Sequence, residues 1–164
     1  MINKKLIPAL NEQINKEFYS SYLYLAMSAY FGELNLTGFA EWMRIQAKEE
    51  LEHGMKIFDY LAECGEKIEF KAIDKVALTW KSPIDAVKAA LAHEQKVTKS
   101  IHNLVELAIK EKDYATNSFL QWFVNEQVEE EANAMEILGQ LQLTKDCSCA
   151  LLLLDKKLGK RNGE

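Results

Sequence analysis

The chain has 164 residues, 48% of them apolar and 27% charged, with 25 acidic against 20 basic side chains and a net charge of −5. One domain of this size can bury most of its unfolded-chain surface, and the acidic balance argues against nucleic acid as a partner. No run of about 18 apolar residues could span a membrane, and Asn11 and Glu12 interrupt the N-terminus before a signal peptide could form.

Two prolines and seven glycines leave long helices unhindered. The first helix is predicted from Asn3 to Glu33, with the seam Ile7, Leu10, Ile14, Glu17, Ser21, Tyr24, Ser28, Phe31 recurring in steps of three and four. A short polar turn at 32–35 leads to a second helix ending at Glu63, with Gly65 as its stop. Its seam is Leu36, Phe39, Met43, Gln46, Glu50, His53, Ile57, Tyr60, Cys64. The helical pattern disappears from Glu66 to Lys81, then Ser82-Pro83 reads as an N-cap followed by proline at the first helical position. The third helix runs to Lys112 along Ile84, Val87, Leu91, Glu94, Thr98, Ile101, Val105, Ala108. Asp113 caps the fourth, which reaches Leu143 along Leu120, Phe123, Gln127, Glu130, Ala134, Ile137, Leu141. A short fifth helix spans Asp146 to Leu158, and a polar tail expected to fray begins at Gly159. The organisation read from this is one bundle, 1–145, with a C-terminal helix, 146–158, and a tail, 159–164.

Connection lengths set the topology. Short turns make helices one and two antiparallel neighbours, and likewise three and four. The stretch between the hairpins spans ~55 Å when extended, enough to run the ~45 Å length of a 30-residue helix. A crossover of that length predicts that helices two and three are parallel. The fold class is therefore an all-α antiparallel four-helix bundle with a long crossover and a short fifth helix.

Each seam is apolar at its ends and acidic near its middle, and folding the hairpins brings Glu17, Glu50, Glu94, Gln127 and Glu130 to one level. Lys and Arg are absent from all four seams. Unpaired buried carboxylates cost several kcal/mol each, so they must share protons or hold a cation. Four such burials would exhaust the ~5–15 kcal/mol that holds a domain together, which favours the cation. Glu50 and His53 are three apart and face one target. Carboxylates with one imidazole suit iron or manganese better than zinc. Glu50 is placed to bridge two ions, Glu17 and His53 completing one, Glu94 and Glu130 the other.

Over essentially its whole length the chain resembles the prokaryotic non-haem ferritins. Glu17 and Glu94 match the single glutamates of ferritin-like di-iron proteins, and Glu50-Leu51-Glu52-His53 matches one Glu-x-x-His motif. The fourth helix departs with Gln127-Val128-Glu129-Glu130, and the stretch Asn125 to Glu131 is similar to that of bacterial and archaeal ferritins. The resemblance implies that iron is a loosely held substrate, with Gln127 in the outer shell of the second ion. It implies a third iron site at Glu49, Glu126, Glu129 and Glu130, where a solvated acidic face is the plainer reading. Leu51 replaces the haem-ligating methionine of bacterioferritins, so no haem is expected.

The function implied is iron storage with ferroxidase activity. Dioxygen or peroxide would oxidise two ferrous ions, and ferric mineral would fill a homo-oligomeric shell of 24 subunits, with the Leu-rich fifth helix at the four-fold axes. Tyr24 donates an electron or a hydrogen bond to a ligand, or packs as a satisfied core tyrosine. Trp122 reads as packing, and His93 and His102 as surface or inter-subunit histidines. The three cysteines, Cys64, Cys147 and Cys149, read as reduced thiols in the cytoplasm. Two other readings remain: a non-catalytic metal-stabilised scaffold, and a rubrerythrin-like peroxide-reducing oxidoreductase, which usually needs a four-cysteine site this chain lacks. A DNA-coating miniferritin would lack the fifth helix.

Overall fold

The computed structural model describes residues 2–145 and 147–161. The described residues form five helices, α1 (Leu6–Glu33), α2 (Thr37–Glu63), α3 (Pro83–Lys110), α4 (Tyr114–Leu143) and α5 (Ser148–Leu158), and no strands. The expected fifth-helix start at Asp146 and the end of the tail, 162–164, lie outside the described residues.

Most boundaries follow from local chemistry. The Ser82 hydroxyl accepts from the Asp85 backbone N–H at 3.2 Å, and Pro83 occupies the first helical position. The Asp113 carboxylate accepts from the Thr116 N–H at 3.0 Å and starts α4. Gly65, at φ 71°, turns the chain out of α2. Two ends differ from the sequence reading. Helix α1 begins at Leu6, not Asn3, because the Asn3 N–H is held by Asp113 at 2.8 Å and its side chain by Glu111 at 3.3 Å. Helix α3 stops at Lys110, not Lys112, because Lys112 adopts φ 55°.

Hydrogen bonds fix the topology. Ser21 and Ser28 of α1 donate to the carbonyls of Ala47 and Ala40 in α2, so these helices run antiparallel. Ser20 meets His93, and Lys16 meets Ser100, so α1 also runs antiparallel to α3. It follows that α2 and α3 are parallel and that residues 64–82 cross the length of the bundle. The crossover is pinned at its start by buried Asn11, which donates to the Lys67 carbonyl and accepts from the Glu69 N–H. Near its end Trp80 packs edge-on against Tyr30.

The apolar interior is divided into two blocks. One gathers Met27, Phe31, Phe39, Met43, Val87 and Ala90 with Ile137, Leu154 and Leu158; the other gathers Leu10, Ile14, Ile57, Ile101, Leu120 and Phe123. Each fully buried side chain contributes about 1.5–3 kcal/mol, and together the blocks offset the polar layer between them.

Helix α5 folds back on α2. Leu154 and Leu158 are buried in the first block, and the Asp155 carboxylate accepts from the Phe39 N–H at 2.9 Å, capping the first turn of α2 from outside. The approach requires Gly38, since a Cβ there would lie 1.7 Å from the Asp155 carbonyl oxygen.

Candidate metal centre

The polar layer holds Glu17, Glu50, His53, Glu94, Gln127 and Glu130, all buried. Seam spacing carries each one inward, and the apolar blocks above and below remove water from them. Among the described residues, two groups of side chains converge closely enough to share a cation, Glu17 with Glu50 and His53, and His53 with Glu126 and Glu130; in each, the ligand atoms lie within 4.8 Å of one another. His53 stands between them, with Nδ1 3.6 Å from Glu50 Oε2 and Nε2 3.8 Å from Glu126 Oε1. Those separations exceed hydrogen-bond length and suit ligands facing a common ion.

The donor set fits a divalent cation. Glu17 Oε1 accepts from Gln13 at 2.7 Å, but its buried Oε2 has no hydrogen-bond partner among the described residues. An orphaned carboxylate oxygen in the interior carries a desolvation penalty that a metal ion would remove. Burial, then the charge of Glu50, pushes the Glu17 carboxyl up to about 8. Burial, then Glu94, raises Glu130 to about 8. Glu50 is pushed well above the carboxylate range by burial and then by Glu94 and Glu130, and burial also raises Glu94. Burial and mutual repulsion thus favour the protonated form of each acid in the layer, and a bound cation would reverse that preference.

Glu94 stands apart from both ligand groups. The Tyr24 hydroxyl donates to its Oε1, and Gln127 Nε2 donates to its Oε2 at 3.2 Å. Gln127 also donates to the Glu94 carbonyl and to Thr98 Oγ1, each at 3.3 Å. The amide and the phenol thus hold Glu94 beside the centre. Of the roles read for Tyr24, the hydrogen bond is the one present, and burial raises its phenol well above the usual range.

Beside the centre opens a cleft of about 230 Å³ lined by Glu49, Glu52, His53, Lys56, Trp122, Glu126, Glu129, Glu130, Asn133 and Arg161. It contains all four residues of the expected outer acidic cluster. Glu49 points to Arg161, Glu126 approaches His53, and Glu129 is exposed. Trp122 lies edge-on to His53 and carries the Lys56 ammonium 4.3 Å over its ring.

Three residues near the ligands carried no assigned role in the sequence reading. Gln13 lies one turn before Glu17 and orients it, and its own Oε1 accepts from Ser100 at 2.6 Å. Gln46 lies one turn before Glu50 on the same seam, and donates to Glu130 Oε2 at 2.6 Å and to Glu50 Oε1 at 3.3 Å. The four-residue spacing from a buried acid is the signal that finds both. Arg161 gave no signal. The expectation of a fraying tail fails at this residue, whose guanidinium is bonded to Glu49 and Gln46. His93, read as a surface or inter-subunit residue, sits in the α1–α3 groove with Nε2 2.7 Å from Ser20 Oγ, where burial lowers it to about 4.

Comparison with known proteins places these features in a group. Residues 7–144 match the family described as Ferritin-like domain. The chain is 44% identical over 162 residues to the bacterial non-heme ferritin of Staphylococcus haemolyticus, covering 99% of this chain and 98% of that protein. It is 43% identical over 161 residues to that of Staphylococcus aureus, covering 98% and 97%. Among solved structures, an engineered closed form of Archaeoglobus fulgidus ferritin superposes with a TM-score of 0.98 at 49% identity over the full length of both chains. The open-pore ferritin of the same archaeon superposes at 0.97, again at 49% identity, over 99% of this chain and 100% of that one.

Proposed function

The chain belongs to the ferritin family, and on that footing we propose that its mid-height carboxylates take up ferrous iron, oxidise it and pass it on for storage. The observation that carries this reading is the convergence of buried Glu17, Glu50 and His53 on one point, with Glu17 Oε2 lacking a partner among the described residues.

Iron is the substrate. In this reading Glu17 and His53 hold one ferrous ion, Glu94 and Glu130 the other, and Glu50 bridges them. Gln127 orients Glu94, as the bond between them suggests. Tyr24 holds the other Glu94 oxygen and keeps a hydrogen-bonded path to the centre. Each ferrous ion gives up one electron, and dioxygen or peroxide accepts the pair. The carboxylates release their protons as iron binds, and their charge stabilises the ferric product. Glu49, Glu126, Glu129 and Glu130 then offer a third position facing the cleft. No haem enters the scheme: Leu51 follows Glu50 on the outside of α2.

Storage needs a hollow, which we assign to a homo-oligomeric shell of 24 subunits. The bundle, 1–145, forms its wall, and the 146–158 segment packs at an axis of the assembly. The half-exposed or more exposed Leu152 and Leu153 support this, since an apolar pair on a short helix wants a partner surface. No helix among the described residues is long and apolar enough to cross a membrane. We place the protein in the cytoplasm, a reading that its three unpaired cysteines support.

The test is ferrous iron with air. A variant carrying Glu50→Ala and His53→Ala should oxidise it at least about 100-fold more slowly in the initial phase, as loss of metal ligation predicts. Equal initial rates would remove the pair centre from the reaction.

A further inference from the structure

Arg161 is delivered to the acidic cleft by the docking of α5. Gly38 and Gly159 lie so close that a Cβ on Gly159 would stand 3.2 Å from the Gly38 Cα, Asp155 caps α2, and Leu158 is buried, so the chain leaves α5 beside Glu49. The guanidinium donates from Nη2 to Glu49 Oε2 at 2.6 Å and from Nη1 to Gln46 Oε1 at 2.9 Å. Its carbon lies 4.7 Å over the Trp42 ring. Both partners of the ion pair are largely buried, with side-chain exposures of 22% for Arg161 and 17% for Glu49.

Two consequences follow from the chemistry of a guanidinium. Its planar fork of N–H donors fits a carboxylate, so a cation that takes Glu49 must displace it. It also has no acceptor, so the Gln46 atom facing it must be the carbonyl oxygen. That orientation aims the Gln46 NH2 at Glu130 and Glu50. One amide thus connects the cation in the cleft to Glu130 and Glu50, two of the four glutamates of the pair centre.

We propose that Arg161 is an internal counter-cation, occupying the Glu49 arm of the outer acidic cleft and competing there with a third ferrous ion. The inference rests on the reading of the pair centre given above. A ferrous ion entering the cleft must draw Glu49 away from a charge-assisted hydrogen bond and accept a positive neighbour. Displacement of Arg161 also removes the group that fixes Gln46, so filling of the outer position is felt at Glu130 and Glu50. Arg161 acts as a positioning residue and does not touch the reacting ions.

Anaerobic calorimetric titration of the assembled protein with Fe(II) tests this in the unsubstituted chain, Arg161→Gln and Arg161→Lys. The first two ions should bind with the same stoichiometry in all three, since no pair-centre ligand is replaced. The later-filling site should tighten about tenfold in Arg161→Gln, the loss of one charge-assisted bond, and stay near its original affinity in Arg161→Lys, which keeps the charge. In a Trp80→Phe, Trp122→Phe background, Zn(II) added beyond two ions per subunit should shift Trp42 emission, and Arg161→Gln should abolish that shift. A third site that is unchanged or weaker in Arg161→Gln, or absent from every chain, overturns the competition. Absence of the first two ions from all three chains overturns the pair-centre reading instead.

Discussion

Glu17 is held toward its neutral form by the same burial that makes it a good ligand. In the unfolded chain a glutamate titrates near 4.5, whereas in the fold Glu17 and Glu130 titrate at about 8. Between those values the folded state keeps protons that the unfolded state has released. Stability of the iron-free protein therefore falls as pH rises from 4.5 to 8. Denaturation of the iron-free protein at pH 5 and pH 8 checks this, and ferrous binding should strengthen across the same interval because it displaces those protons. Glu17→Gln keeps the shape without the charge. It should stabilise the iron-free protein at pH 8 by about 1–3 kcal/mol, the scale of one unsatisfied buried polar group, while weakening ferrous uptake. A loss of stability at pH 8 would mean that Glu17 is already satisfied. The residues of this layer were legible in the sequence because an acid in an apolar seam has few physical explanations. Their hydrogen-bond partners were less so. Gln46 was visible on its seam but had no assigned task, and which way an amide turns depends on what faces it.

At the scale of elements, helix ends and connections were legible wherever a local cap exists. Ser82, Pro83, Asp113 and Gly65 each act within a few residues of their own position. The ends that moved are those set by distant partners, as when Asn3 is drawn to Asp113 and Glu111. The docking of α5 is the largest such case. Periodicity announced a helix, but nothing local announced that Asp155 would cap α2 or that Gly38 would meet it. Asp155→Ala should cost about 1 kcal/mol, the usual value of a lost N-cap, and hydrogen exchange should show faster opening of the α2 first turn, at Phe39 above all. Gly38→Ala should cost more, about 1–3 kcal/mol, because the added methyl overlaps the Asp155 carbonyl and must push α5 away. If exchange at Phe39 is unchanged in both variants, α5 contributes nothing to the start of α2.

The molecule as a whole joins two apolar blocks through a polar layer that neither block can satisfy. The glutamates of both hairpins lie near the middles of their helices and so arrive at one height, and the crossover sets α2 and α3 parallel around them. Outward, the chain presents Leu152 and Leu153, whose exposure of 59% and 66% makes sense in an assembly. A shell of 24 subunits of 18.8 kDa predicts a particle of about 450 kDa by light scattering. Leu152→Lys with Leu153→Lys should shift the population toward smaller species; a monomer or dimer in the unsubstituted protein would remove the hollow that storage requires.

The most direct measurement is anomalous diffraction at the iron edge from crystals soaked in ferrous salt without air. The account predicts iron between Glu17, Glu50 and His53 at mid-height in the bundle. Crystals in which that position stays empty, with the same glutamates held only by Gln13, Tyr24, Gln46 and Gln127, would contradict it.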